Sequence, residues 1–563
     1  MPSFPGRGPL PERVDIIILG GGVNGVAIAR VCAQASKSVL LVEREDFASG
    51  ASSRGTRVVR GGLQALERGS FGMLRDSLRG RAALLREQPH LVQPLDFVLA
   101  VGTRSRYSGP SYSEPSYSGP SYSAPQLRAA LWLYRKLGKL PLSDSALDLE
   151  SLRRALDPAQ RWTLYPYQEA QCEFPERLVA DWLRDACAAG AIARNHASVL
   201  AIRAAEGRVR GVILRDSLTG EESYVESEWV INATGPWVDL VRNLTGLAAR
   251  SPLASGVRSS HLMLRPWPGS PTFGIHTTLD KGRSISIAPW NGMLQVGSTQ
   301  VNHSGDPSLA SPSAEEVESL LTSAATLFGS ARLTSAAIAF SYAEVLPIAH
   351  CPDEGLPAFS ADPVPCRHVL HNHADEGALG LLSIFGGTLA TASALAQKTA
   401  QTMGLQLDRL PDPQLVFGES RGVQNTLRKW ASAVCASTGI PQESTEAIAR
   451  WHGRHAMCVI QSALHDPILR APIVEGRPQL VAQAVEAVAY ERAVTLADIL
   501  LRRVPIALDQ DWNEESTAQA AARIAPALYW NERRMREEIQ AFEEERGRFL
   551  HKPKNLKPTI IAA

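Results

Sequence analysis

Glycines 20, 22 and 25 follow an apolar run at residues 14–19 and open a second apolar stretch with helical spacing. A Gly-x-Gly-x-x-Gly turn of this kind brings backbone up to a pyrophosphate at a helix N-terminus. Gly20 permits the tight turn, Gly22 leaves room for the phosphates, and Gly25 lets helix and strand pack closely. A following strand-like segment, SVLLVE, ends in Glu43, at about the distance where a carboxylate accepts hydrogen bonds from both ribose hydroxyls. Further on, RVVRGGLQAL sets Arg57 and Arg60 beside the pair Gly61–Gly62. Guanidinium groups next to bare backbone suit either a bound anion or an internal ion pair.

These residues need a strand–helix–strand unit behind them, and later segments return to the same place. VINATGPWVD (230–239) is an apolar strand ending in the small turn Ala233-Thr234-Gly235. GLLSIFGGTLATASALAQKTA (380–400) is a third strand, entering Gly386–Gly387 and then a helix. The positive end of such a helix would stabilise negative charge on a flavin ring. One chain returning three times to a single dinucleotide suits FAD better than NAD.

At 563 residues with 44% hydrophobic content the chain is too long for one simple core, so two to four domains are expected. Lys plus Arg (58) nearly equals Asp plus Glu (57), which excludes a global field recruiting nucleic acid or an anionic membrane. Seven cysteines without a CxxC pair point to reduced thiols in a cytosolic setting. No signal segment and no run of 18 apolar residues is visible. Residues 107–125 repeat a Tyr-Ser-x-Pro-Ser unit and read as a solvated insertion. Prolines and charges near 405–425 mark a boundary, beyond which Leu480, Ala484 and Val488, then Met535, Ile539 and Phe542 behind an Asn531 cap, recur at helical spacing. The expected division is 13–410 for an oxidoreductase unit and 415–550 for a helical one. His368, His371 and His373 in HVLHNHAD show no companion acid at a familiar metal spacing and read as a polar loop, so no metal site is expected.

From LVEREDFASGASSR through ATGPWVD, PWNGMLQVGST and SIFGGTLAT to YERAVTLADILLRR, the chain resembles the FAD-dependent glycerol-3-phosphate dehydrogenases. The resemblance implies an α/β fold, α+β overall. It comprises a Rossmann-like, glutathione-reductase-type FAD domain, an antiparallel substrate domain and a C-terminal helical domain. Carried over by position, the FAD contacts are Gly20, Gly22, Gly25, Glu43, Ser52, Ser53, Val199, Gly235, Gly386, Gly387, Thr388 and Leu389. His261 matches a family histidine and becomes the expected proton acceptor, and Arg283 matches a substrate arginine.

The substrate side departs from the family pattern. Where the family reads Lys-Leu-Ile-His-Gly-Gly-Leu-Arg-Tyr-Leu, this chain has Arg60 before the glycines and Gln64 and Ala65 after them. Gly-Val-Arg-Pro-Leu becomes Glu344-Val345-Leu346-Pro347-Ile348, and Gly-Gly-Lys-Leu-Thr becomes Gly386-Gly387-Thr388-Leu389-Ala390. Two lost charge-assisted contacts weaken a phosphate by about 10²–10⁴-fold, and Arg60 is expected to restore part of this from a new angle. Three functions stay open: hydride transfer from glycerol 3-phosphate or a related secondary alcohol, oxidation of another hydroxy or amino compound, and flavin binding without turnover. A cytoplasmic place is expected, and peripheral contact with the cytoplasmic membrane, the electron acceptor (a quinone or another) and the oligomeric state are left open.

Overall fold

The computed structural model describes residues 7–63, 71–102, 124–138, 147–246, 251–279, 284–329, 333–350, 368–407 and 423–552. Gln64, Ala65, Arg283 and the Tyr-Ser-Pro repeat up to residue 123 lie outside these residues.

The run VDIIIL becomes the strand Arg13–Leu19 because both its faces are covered. Ile16 and Ile18 pack with Val26, Ile28 and Trp182 on one side, and Ile17 and Leu19 with Leu40, Val212 and Val230 on the other. Two buried faces require a continuous apolar run instead of alternation. The strand is central in an eight-stranded sheet with the order Val369–Asn372, Leu381–Phe385, Glu222–Asn232, Arg13–Leu19, Val39–Val42, Ile192–Arg194. Neighbours from Leu381–Phe385 to Ile192–Arg194 run parallel, whereas the edge strand Val369–Asn372 is antiparallel. Ala197–Ala205 and Arg208–Asp216 extend Glu222–Asn232 as an antiparallel flap.

Parallel neighbours need a crossover, and the helix Val23–Gln34 supplies the first. A Cβ on Gly25 would lie 1.9 Å from the Gly20 carbonyl oxygen, so only glycine lets this helix sit on its strand. The segments following Leu19, Val42, Asn232 and Phe385 all leave the same edge of the sheet, where open parallel sheets bind their ligands.

A nine-stranded sheet stands beside the first. It runs Val301–His303, Ala254–Leu264, Met293–Gly297, Ser284–Trp290, Gly274–Thr278, Val92–Gly102, Trp162–Cys172, Val58–Val59, with Ile338–Ala349 also paired to Ala254–Leu264. It is antiparallel except where Gly274–Thr278 meets Val92–Gly102. Helices fill residues 423–549, among them Val481–Tyr490, which buries Ala484 and Val488, and Glu532–Phe549, which buries Phe542. The Asn531 side chain accepts from the Arg534 N–H at 2.8 Å and caps the last helix.

The helical layer is joined to the first sheet by buried ions. Asp46, in the segment after Glu43, accepts from both terminal nitrogens of Arg503 (2.7 and 2.8 Å), from Asn195 (2.9 Å) and from Arg502 Nε. Asp498 meets His196 Nε2 at 3.0 Å, and Arg177 is bidentate on Glu491. Asp498, Arg502 and Arg503 belong to one π-helical turn, Asp498–Arg503.

Candidate active site

The edge from which those four segments leave opens into a cavity of about 630 Å³, closed on its other side by the nine-stranded sheet. Gly20, with φ +104, turns beneath Ala233 and Thr234; a Cβ there would meet the Ala233 oxygen at 2.6 Å. Gly22 begins the helix on the cavity wall, and Ser52 Oγ accepts from the neighbouring Val23 N–H at 2.9 Å. Glu43 is fixed by accepting from the N–H groups of Gly21 (2.6 Å) and Glu45 (3.0 Å). Its carbonyl accepts from the N–H of Ala197, which sets Val199 on the same wall.

Gly235 and the turn Gly386, Gly387, Thr388 and Leu389 complete this half. The Asn24 amide donates to the Gly386 carbonyl at 3.0 Å, tying the first and last segments together. The helix after this turn starts at Ala392, and the Thr388 N–H is already used by Thr391 Oγ1 at 2.9 Å, so its N-terminus is less open than the sequence suggests. Gly25 and Ser53 do not line the cavity: the first is a packing position, and the second is buried with its hydroxyl donating to Gly50.

The other half holds Arg60, His276, Glu344 and Leu346. Arg60 is half-buried and has no ion-pair partner among the described residues. His276, on Gly274–Thr278, lies 3.3 Å from Ser284 Oγ; burial and then the charge of Arg60 push its pKa down to about 3, so it is neutral at physiological pH. It lies outside the stretches that carry the family resemblance. Its strand is buried along its whole length, so no alternation marks it, and only the pairing of His276 with Ser286 on Ser284–Trp290 brings it to this wall.

Arg57 takes the internal role. Its guanidinium bonds Glu176 and the carbonyl oxygens of Ser53 and Glu173, and stacks 4.1 Å over Trp290. Gly61 is a packing residue too, since a Cβ would lie 2.2 Å from Tyr134 Oη and 2.4 Å from Arg81 Nη1. Its N–H donates to Glu169, which is locked to Arg81 (2.6 Å) and Tyr134.

His261 is fully buried one layer behind the wall. The Gly297 backbone covers Nδ1, for a Cβ there would approach it to 2.4 Å. Nε2 is 3.6 Å from Glu344 Oε1, and neither ring nitrogen has a hydrogen-bond partner among the described residues. Glu344 stands where the related family has glycine, and its carboxylate lines the cavity in front of the imidazole. Arg283, Gln64 and Ala65 lie outside the described residues, so this wall is given by Arg60, Leu346 and Thr388.

The cavity fits a dinucleotide on its own terms. Bare backbone at Gly20–Gly22 leads into a helix N-terminus, and an acid closes the next strand. The chain belongs to the FAD-dependent oxidoreductases, whose family profile matches residues 15–393. The profile for the C-terminal domain of alpha-glycerophosphate oxidase matches residues 415–535. Among its relatives, the chain is 29% identical to the glycerol-3-phosphate dehydrogenase of Synechocystis sp. over 94% of this chain and 96% of that protein. It is also 29% identical to the D-erythritol 1-phosphate dehydrogenase of Brucella abortus, over 69% and 73%. The solved structure of the glycerol-3-phosphate dehydrogenase from Bacillus halodurans complexed with FAD shares the fold, with a TM-score of 0.72 at 20% identity over 97% of both chains. The protein is an FAD-dependent oxidoreductase, and FAD is its cofactor.

Proposed function

We propose that the protein oxidises an anionic secondary alcohol, glycerol 3-phosphate or a related polyol phosphate. The observation that carries this reading is Arg60, a half-buried guanidinium on the cavity wall without an ion-pair partner among the described residues. An unpaired cation facing a partly desolvated space is stabilised by an incoming anion. His276 beside it is neutral and donates from one ring nitrogen to the same anion, whose charge opposes the depression of its pKa. Bound FAD supplies the hydride acceptor. The hydroxyl proton passes to Glu344, with His261 behind it as the positioning group and second acceptor; the two orphaned ring nitrogens support this assignment.

On this reading the dinucleotide contacts are Gly20, Gly22, Glu43, Ser52, Val199, Gly235 and the turn 386–389, with Gly25 and Ser53 shaping the site from behind. The catalytic unit covers 13–410 and the helical unit 415–550. Electrons leave to a separate acceptor such as a quinone, and the reducing state implied by seven cysteines without a CxxC pair favours a cytoplasmic place. Leu346 and Thr388, in place of two family cations, favour a substrate held by fewer charges. The test is therefore anaerobic bleaching of the bound flavin by glycerol 3-phosphate, longer polyol phosphates, hydroxy acids and amines. Bleaching by at least one phosphorylated alcohol, and not by its dephosphorylated form, is expected; bleaching by neutral alcohols alone would overturn the reading.

A further inference from the structure

The loop HVLHNHAD is outside the cavity wall, and its side chains converge on a point of their own. His371 lies on the edge strand Val369–Asn372, opposite Ser383. The chain then makes the short turn Ala374–Glu376, ended by Gly377 at φ +81, and this turn folds Glu376 back over the strand. Glu376 Oε1 is 2.8 Å from His371 Nε2, and Oε2 is 2.7 Å from His373 Nδ1. The two imidazoles stand edge to face with centroids 4.5 Å apart, and one ligand atom from each of the three side chains falls within 4.8 Å of the others.

We propose that His371, His373 and Glu376 form a binding site for a divalent cation of the zinc type, with two imidazole nitrogens and a carboxylate as ligands and water in the remaining position. Two nitrogens and one oxygen are the donor set that borderline cations take, and three protein ligands leave a fourth position free. The ring of His373 is already oriented as a metal ligand's ring is, because its far nitrogen, Nε2, sits 2.8 Å from Ser383 Oγ. His373 is buried, whereas the side chains of His371 and Glu376 keep 34% and 19% of their exposure, which gives an ion a way in.

Without metal the carboxylate accepts from both imidazoles, so the site is satisfied and binding is reversible. On metallation the His371 proton moves from Nε2 to Nδ1, and the His373 proton moves from Nδ1 to Nε2, where Ser383 Oγ accepts it. No proton is lost, both imidazoles stay neutral, and the single carboxylate charge faces the cation. The spacing His-x-His-x-x-Glu is visible in the sequence, but only the turn at 374–376 brings the acid into reach. Ser383 Oγ is also 3.4 Å from Asn232 Nδ2, and Asn232 Oδ1 accepts from Thr234 Oγ1 at 2.6 Å, beside Gly235 of the cavity wall.

The experiment titrates chelator-treated holoprotein with Co²⁺, followed by its visible d–d absorption, and with Zn²⁺ by calorimetry and thermal melting. One equivalent is expected to bind, with intense tetrahedral-type Co²⁺ bands and a melting temperature raised by Zn²⁺. His371→Ala and Glu376→Gln, both at partly exposed side chains, should each weaken binding by about tenfold or more without changing FAD content. His465→Ala, at an exposed histidine elsewhere, should leave it unchanged. Absence of Co²⁺ bands and of Zn²⁺ heat up to about 0.1 mM, far weaker than a protein zinc site, would overturn the proposal. So would binding that survives both His371→Ala and Glu376→Gln.

Discussion

Replacing Arg60 by alanine removes the cation assigned to the substrate anion while leaving the cofactor half of the cavity untouched. Arg60 is half-buried and makes no ion pair among the described residues, so its loss breaks no internal bridge there and strands no buried carboxylate. The cost therefore falls on the substrate contact. One charge-assisted hydrogen bond is worth roughly 1.5–3 kcal/mol, which is about a 10–150-fold rise in KM at nearly constant kcat if the contact is made equally in ground and transition states. A second readout comes from His276. With Arg60 gone only burial depresses its pKa, so the value should rise from about 3, visible by NMR titration or as a displaced acidic limb in the pH dependence of substrate binding. Arg60→Lys should fall between, since it keeps the charge and loses the planar fork. A KM for the phosphorylated substrate that moves less than about threefold, where one lost charge-assisted contact predicts tenfold or more, would refute the reasoning. An equal change for a neutral alcohol would refute it as well.

Two further outcomes concern the ionic layer. Asp46→Ala leaves the guanidinium groups of Arg502 and Arg503 buried against a missing partner, which should destabilise the protein by about 3–5 kcal/mol and speed FAD release; a loss below about 1 kcal/mol in urea unfolding would contradict it. Burial alone would lower the pKa of His196, but the Asp498 carboxylate outweighs it and raises it to about 9 from an ordinary 6.5. Its folded value is thus above the unfolded one, so the stabilisation is complete below about pH 6.5 and is lost as pH rises to about 9. Urea midpoints measured from pH 6 to 9.5 should decline across that window, and the decline should flatten in His196→Gln.

The cofactor half was legible because its requirements are local: a strand, three glycines at fixed spacing and an acid closing the next strand recur within residues 14–43. The substrate half depends on contacts between distant strands. His276 is brought to Arg60 only by the pairing of Gly274–Thr278 with Val92–Gly102 and Ser284–Trp290, and no spacing rule reports that. His261 matches by resemblance, but it is withdrawn from the wall because the Gly297 backbone covers Nδ1 and the Glu344 carboxylate stands before Nε2, a pairing of distant residues that no motif reports. The arginines of RVVRGG divide for a similar reason: Arg57 meets Glu176 and Trp290, which lie far along the chain, and Arg60 meets neither. Asp46 and the pair Arg502–Arg503 both fall inside quoted motifs, yet nothing in either motif names the other as its partner.

That last pairing sets an order of events during synthesis. The segment from Glu43 to Phe47, which holds the ribose-side acid, is locked by Arg503, a residue 457 positions later. At roughly 5–20 residues per second, a growing chain spends on the order of 20–90 s with Asp46 made and its clamp not yet translated. Until then Asn195 alone of its partners can hold Asp46, while Glu43 is already fixed by the N–H groups of Gly21 and Glu45. A chain cut short before Asp498–Arg503 carries every glycine of the fingerprint and still lacks the two guanidinium groups that close on Asp46.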